Sequence, residues 1–344
     1  MSQAPPVTQP KQSLWGRVRT TFARRTEGRA LILLAVVSIV VLILEPIVFT
    51  SYPVTLGRIA LIGLVALGLT AVILMGELDL AVASTLAVSG VVFAAVENQF
   101  GLAVGIVAAL VMGLVVGAVN AFFVIVVGIN SFIATLGMLF FLRGAAFVIS
   151  DEEPIRLVDR DAGIAFGKPL IGELTPRMLI FILVFVVLGI FLTRVRVGRE
   201  FYAVGGNRQA AYDAGIPVRR RVFTGFMISG FVAALAGVIN VLERTAADPT
   251  AGSTVLLASF AAAIIGGILL TGGRGSLFGT LLGAASLGIL QVALALSGVQ
   301  VDVQNIVIGV VLLLAVITDP DSLRSVVGSV RSLLRGRSEA QPDG

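Results

Sequence analysis

Cysteine and histidine are both absent from this chain, and tryptophan occurs only once. Without a thiol or an imidazole there is no disulfide framework, no zinc–thiolate site, no Cys–His nucleophile and no His-centred triad. Charge is also scarce. Asp, Glu, Lys and Arg make up 13% of the residues, whereas soluble domains carry roughly 25%. No G-x-x-x-x-G-K-S/T phosphate loop is present; Thr271 to Ser276 reads T-G-G-R-G-S and lacks the lysine. An H-E-x-x-H metal site cannot exist without histidine, and no G-x-S-x-G elbow stands between a strand and a helix. Few acids fall deep inside apolar runs, so a proton or sodium relay is poorly supplied.

What is present is apolar. Of 344 residues 57% are hydrophobic, and the mean hydropathy is +1.02. That composition leaves too little polar surface to coat a water-soluble body and predicts an all-α, polytopic membrane bundle. A crossing needs roughly 20 mostly apolar helical residues. The segments 31–49, 56–75, 80–96, 102–127, 131–149, 178–192, 222–242, 255–270, 276–296 and 303–317 meet or approach that length. They give about ten crossings. The breaks at 76–79, 128–130 and 271–275 are too short for ordinary soluble loops, and eight or nine crossings with a re-entrant segment is the competing count.

Orientation follows from the distribution of Lys and Arg rather than from the net charge of +5. With the amino terminus in the cytoplasm and the helices alternating, most basic residues fall inside. They lie before residue 31, between Arg194 and Arg221, at Arg274 and after Asp319. The 151–177 stretch, with Asp151, Glu152, Glu153, Asp159, Asp161 and Glu173, falls outside. Both termini are expected in the cytoplasm. The chain divides into a cytoplasmic tail (1–30), a transmembrane domain (31–318) and a second cytoplasmic tail (319–344). Outer residues 150–177 and cytoplasmic residues 194–221 are the main loops. The start reads as an uncleaved signal anchor behind a polar tail. Residues 323–334 read either as a basic helix on the inner membrane face or as a frayed tail.

Helices in lipid associate through close approach at small residues. Among the 39 glycines, Gly113 and Gly117 are four apart, and Gly275, Gly279 and Gly283 form a longer register. Such stripes predict tight helix crossings and identify no substrate. The break Gly76-Glu77-Leu78-Asp79 supports two readings. Asp79 can cap the following helix, where a carboxylate meets free N–H groups. Alternatively, Glu77 and Asp79 line a solute or ion route.

The 194–221 loop is the most informative polar stretch. Asn207, after Gly205-Gly206, is a good N-cap; residues 208–214 then make two helical turns. Gly215 suits the left-handed position after the helix, and Pro217 forbids continuation. Ala210, Ala211 and Ala214 leave one side small enough to dock in a groove. An ordinary connector with a helical turn is the alternative.

At this point the residues resemble a known family, the permease subunits of bacterial ABC importers for ribose, xylose and galactose, related to branched-chain amino-acid permeases. The block Gly76-Glu-Leu-Asp-Leu-Ala-Val-Ala-Ser84 looks like the family's G-G-I-D-L-S-V-G-S. Phe132-Ile-Ala-Thr-Leu-Gly-Met138 with Arg143-Gly144 looks like F-I-A-T-L-G-T…R-G. Gly205-Gly206-Asn207, Ala210-Ala211 and Gly215-Ile216 match its cytoplasmic loop. Asp248-Pro-Thr-Ala-Gly252, Gly266-Gly267 and Gly272-Gly-Arg-Gly-Ser276 match its last third. Glu77 stands where the family usually has Gly, Ala81 replaces a Ser and Ala83 a Gly, which puts the identity of the sugar in question.

The resemblance implies a non-catalytic subunit in the bacterial inner membrane that dimerises, with an identical copy or a paralogue, around a central pathway. A periplasmic or extracellular sugar-binding protein would deliver a monosaccharide. A separate ATPase, holding the ATP and Mg, would drive transport; this chain would bind no cofactor, no metal and no nucleic acid. Gly205, Gly206, Asn207, Ala210, Ala211, Gly215 and Ile216 would form the coupling element on that ATPase. Glu77, Asp79, Asn120, Asn130, Ser131, Phe132, Thr135, Asn240 and Gln291 are the pathway candidates, each also explicable by a helix–helix contact. Branched-chain amino acids, nucleosides or another small polar solute are the nearest alternative cargoes. An ion-coupled secondary transporter and a membrane-embedded enzyme or scaffold are alternatives of other classes.

Overall fold

The computed structural model describes residues 26–317. The basic residues at 17–25 and the 323–334 segment lie outside the described residues. The apolar segments form helices α1 (Thr26–Leu44), α2 (Tyr52–Ile73), α3 (Val82–Phe100), α4 (Leu102–Phe122) and α5 (Ser131–Ser150). These are followed by α6 (Pro176–Arg194), the short polar-loop helices α7 (Arg196–Gly206) and α8 (Arg208–Asp213), and α9 (Val218–Arg244). Helices α10 (Ser253–Ile265), α11 (Leu277–Leu296) and α12 (Val301–Ile317) complete the bundle. Among the described residues, 8 helices are long and apolar enough to cross a membrane, with α10 and α12 as shorter apolar companions. The expected all-α membrane bundle is therefore the observed architecture.

Helix α2 is the central post. It is apolar on every side, and such a helix must be surrounded by others. Within the chain 83% of its most apolar stretch is buried, against 17% for α5, which lies on the rim of the bundle. Helices α9, α11, α10 and α6 pack around α2, and α4 packs along α9. Glycine sets these crossings. A Cβ on Gly113 would strike the Gly230 carbonyl, and one on Gly117 would strike that of Phe226, so α4 and α9 touch backbone to backbone. The Gly279–Gly283 stripe of α11 meets Gly266 and Ala262 in the same way.

One expected span differs. The helix predicted over 255–270 ends at Ile265, because Gly266-Gly267 turns the chain, with Gly267 at φ +89°. The segment then folds back, Leu269 N–H donating to the Arg274 carbonyl at 3.1 Å. The breaks at 76–79 and 128–130 are also real, and α4 runs through a π-helical turn, Phe123–Val127, before the second of them.

The connections gather at two ends. One holds the 76–79, 128–130 and 271–275 breaks with the 194–221 loop, and its exposed cations include Arg194, Arg196, Arg199, Arg208, Arg219, Arg220 and Arg274. We call it the basic end. At the other, acidic end, β1 (Ile155–Arg156) pairs antiparallel with β2 (Ala246–Ala247), pinning the 150–177 loop to the end of α9.

Candidate functional site

The basic end is built around three glycine-bearing turns that meet in one place. The exit of α2 (Leu74–Gly76), the end of α7 (Gly205-Gly206) and the Gly272-Gly273 turn approach with no side chain between them. The Gly273 N–H donates to the Leu74 carbonyl at 2.9 Å. A Cβ on Gly205 would collide with that same carbonyl and with Gly273 N, and one on Gly272 would lie 2.5 Å from Gly76 N. Gly272 and Gly273 also adopt φ of +84° and +76°, a region that side-chain-bearing residues avoid. Backbone packed on backbone has no rotamers to change, so these contacts yield only if the main chain itself shifts.

An ion pair clamps the junction to the polar loop. Arg208 Nη1, on the first residue of α8, donates to Glu77 Oε1 at 2.6 Å. Glu77 is 5% exposed, so its carboxylate is nearly withdrawn from water and relies on this partner for compensation. Helix α8 has the predicted caps: Asn207 Oδ1 accepts from Ala210 N–H at 2.9 Å, and Gly215 turns out with φ +79°. Ala210 and Ala214 are exposed, but Ala211 faces the chain's own core and is closed to a partner. Tyr212 is exposed beside them.

Helix α7 anchors this unit on its other flank. Phe201 and Val204 are buried, Phe201 lying edge-on to Phe191. Glu200 accepts from Arg196 at 2.8 Å and from Arg221 of α9. Burial pushes the Glu200 carboxyl up, but the hydrogen bonds and charges of Arg221 and Arg196 outweigh it and hold the group below the usual carboxylate range.

The remaining sequence candidates separate into distinct places. Asp79 Oδ1 accepts from Ala81 N–H at 3.1 Å and from Asn120 Nδ2 at 3.4 Å, and its Oδ2 accepts from Ser229 Oγ at 2.7 Å. Ser131 Oγ accepts from Leu78 N–H and Thr135 Oγ1 from Leu80 N–H, at 3.1 and 3.0 Å. These groups satisfy the backbone that the break exposes, as the interior of a bundle requires. Asn120 Oδ1 alone of this set is buried without a hydrogen-bond partner. Asn130 caps α5, accepting from Phe132 N–H at 3.0 Å, and Phe132 itself is exposed. Gln291 and Asn240 lie toward the acidic end. Gln291 accepts from Arg58 Nε at 2.6 Å, and Asn240 is buried one turn before Glu243. Gly206 and Ile216 stand at the two ends of the α8 segment.

Sequence reasoning missed Arg208 as the partner of Glu77, Ser229 as the partner of Asp79, and the meeting of Gly205 with Gly272-Gly273. The doubled glycines were a signal for close approach, but nothing in the order of residues said which approached which.

Residues 54–316 match the family described as branched-chain amino acid transport system / permease component. The chain belongs to that family. It is a multi-pass membrane permease component. Over 316 residues it is 37% identical to the ribose import permease protein RbsC of Escherichia coli K12, covering 90% of this chain and 98% of that one. RbsC of Bacillus subtilis 168 is 34% identical over 77% of this chain and 83% of its own length. The L-arabinose ABC transporter permease protein AraH of Azospirillum brasilense is 35% identical over 76% and 77% respectively. No solved structure matches the chain.

Proposed function

We propose that this permease is the membrane subunit of an ABC importer for a monosaccharide. In this reading a solute-binding protein delivers the sugar at the acidic end, and a separate ATPase acts on the basic end, which faces the cytoplasm. Two permease copies, identical or paralogous, enclose the path in the inner membrane. The chain itself performs no bond chemistry; ATP and Mg belong to the partner.

The observation that carries the reading is the clamped junction under α8. A capped helix is joined by Glu77–Arg208 and by glycine packing to the exits of α2 and α10, on a chain that has no phosphate loop of its own. A push on α8 therefore reaches the central post directly. Glu77, a pathway candidate on sequence, belongs with this transmission unit. Asp79, Ser131 and Thr135 hold the break in α2–α3, and the exposed Phe132, Asn130 and the free Asn120 Oδ1 remain as contacts for a neutral, hydroxyl-rich solute. The ribose and arabinose names of the relatives support that cargo. A zwitterionic amino acid or a coupling ion would call for an unengaged buried charge, whereas Asp79 already accepts three hydrogen bonds and Glu77 is paired.

Reconstitution by omission tests the proposal. Vesicles holding the permease, its ATPase and its binding protein are expected to accumulate labelled ribose or arabinose only with ATP, and to stop when any one component is left out. Uphill accumulation by the permease alone, or a preference for leucine, would overturn it.

A further inference from the structure

The basic end carries a second feature, apart from the junction under α8. Between the last turns of α4 and the first turn of α9 lies a cleft of about 540 Å³, within the range of small-molecule sites. Ala118, Phe122, Ile125 and Val126 form one wall, and Phe223 and Thr224 the other. The π-helical turn Phe123–Val127 adds a residue to this stretch of α4, and such turns recur at functional positions. Phe122, Val126 and Phe223 are 50%, 67% and 43% exposed, so the walls open outward from the bundle rather than into the core.

Arg219, Arg220 and Arg221 stand at the mouth. Arg221 is engaged by Glu200. Arg219 and Arg220 are exposed, and neither guanidinium has an ion pair or hydrogen bond among the described residues. Two uncompensated guanidinium groups sit side by side on the first turn of a helix, whose own end is partly positive, so each raises the demand for an anion at this spot. A water-soluble anion would meet the cations but leave the aromatic walls bare.

We propose that this cleft binds an anionic phospholipid. Its phosphate takes charge-assisted hydrogen bonds from Arg219 and Arg220, whose planar forks match phosphate oxygens, and the upper acyl chains lie along Phe122, Val126 and Phe223. Basic pockets between membrane helices at the level of the headgroups are suited to such lipids. The bound lipid then braces α4 against α9 beside the loop that carries α8.

The test is lipid retention by the full chain, exchanged into neutral detergent and supplied with phosphatidylglycerol or phosphatidylcholine, with bound lipid read by native mass spectrometry. Phosphatidylglycerol is expected to be retained roughly tenfold better than phosphatidylcholine. Arg219→Gln/Arg220→Gln is expected to erase that preference, and Arg194→Gln/Arg274→Gln, which removes the same charge at the same end, to leave it intact. Ala118→Trp, which fills the cleft and spares the arginines, is expected to reduce retention as well. Equal retention of the two lipids, an equal loss from both charge variants, or unchanged lipid retention in Arg219→Gln/Arg220→Gln with a weakened ATPase contact would each overturn the proposal, the last by assigning the arginines to a protein partner.

Discussion

The two ends of this permease differ in the contacts that dominate them. At the basic end, main chain rests on main chain: Leu74, Gly205 and Gly273 touch without an intervening side chain, and one ion pair closes the assembly. At the acidic end, long side chains reach across. Arg177 donates to the Pro53 carbonyl and pairs with Glu243 while its guanidinium lies on Gly57; Arg58 reaches Gln291, and Tyr52 donates to Glu173 at 2.6 Å. Side-chain bridges can be broken and remade singly as rotamers change, whereas a glycine junction has no rotamers to change. Under the proposed function, the difference suits one end to a delivered solute and the other to the transmission of force.

The comparison breaks most readily at Gly205. Gly205→Ala places a methyl group against the Leu74 carbonyl and Gly273 N, and is expected to cost about 3 kcal/mol or the folded yield itself. At the acidic end Gly101→Ala makes the same change at φ +86°, ψ 168° but meets nothing within 4 Å, so only backbone strain of about 1–3 kcal/mol applies. Thermal melting in detergent compares the two, and equal losses would remove the distinction between the ends.

Arg177→Ala should follow, at about 2–3 kcal/mol. The loss leaves the Pro53 carbonyl and a hole over Gly57 uncompensated, but Glu243 is 41% exposed and can turn to water. Arg177→Lys should recover only part of this, since an ammonium cannot fork to both partners. A smaller effect is expected from Glu77→Gln and Arg208→Gln. Arg208 is 54% exposed, so a double-mutant cycle should give a coupling of about 0.5–1 kcal/mol in stability. Both variants should also show ATP hydrolysis that exceeds sugar uptake.

Much of the architecture was legible from composition and period. The apolar runs became helices, the breaks at 76–79 and 128–130 held, Asn207 and Gly215 capped α8, and the Gly279–Gly283 stripe became a close crossing. What was not legible is long-range pairing. Glu77 finds Arg208 at a separation of 131 residues, and Asp79 finds Ser229 at 150. Local spacing places a group on a helix face but does not say which other helix it faces. The same limit explains Ala211, whose small side chain suited a docking surface as well as the core position it occupies. It also explains the early grouping of Glu77 with Gln291, which lie at opposite ends of the bundle.

The smallest predicted effect is pH dependence at the basic end. Glu200 holds its proton less tightly folded than unfolded, so its contribution is complete above the unfolded carboxylate pKa, about 4.3, and is lost as the pH falls through the lower folded value. Acidification should therefore narrow the gap in melting temperature between the parent chain and Glu200→Gln. A constant gap down to the acid limit of the fold would free Glu200 from this role.

The central claim is that α8 and the Gly272-Gly273 turn form one rigid unit. The absence of cysteine allows spin labels to be placed on Gln209→Cys and Arg274→Cys without background. Through ATP binding and hydrolysis in the reconstituted importer, their separation is predicted to stay constant while sugar uptake proceeds. A change of more than about 2 Å, the scale of a helix sliding at an interface, would contradict the account.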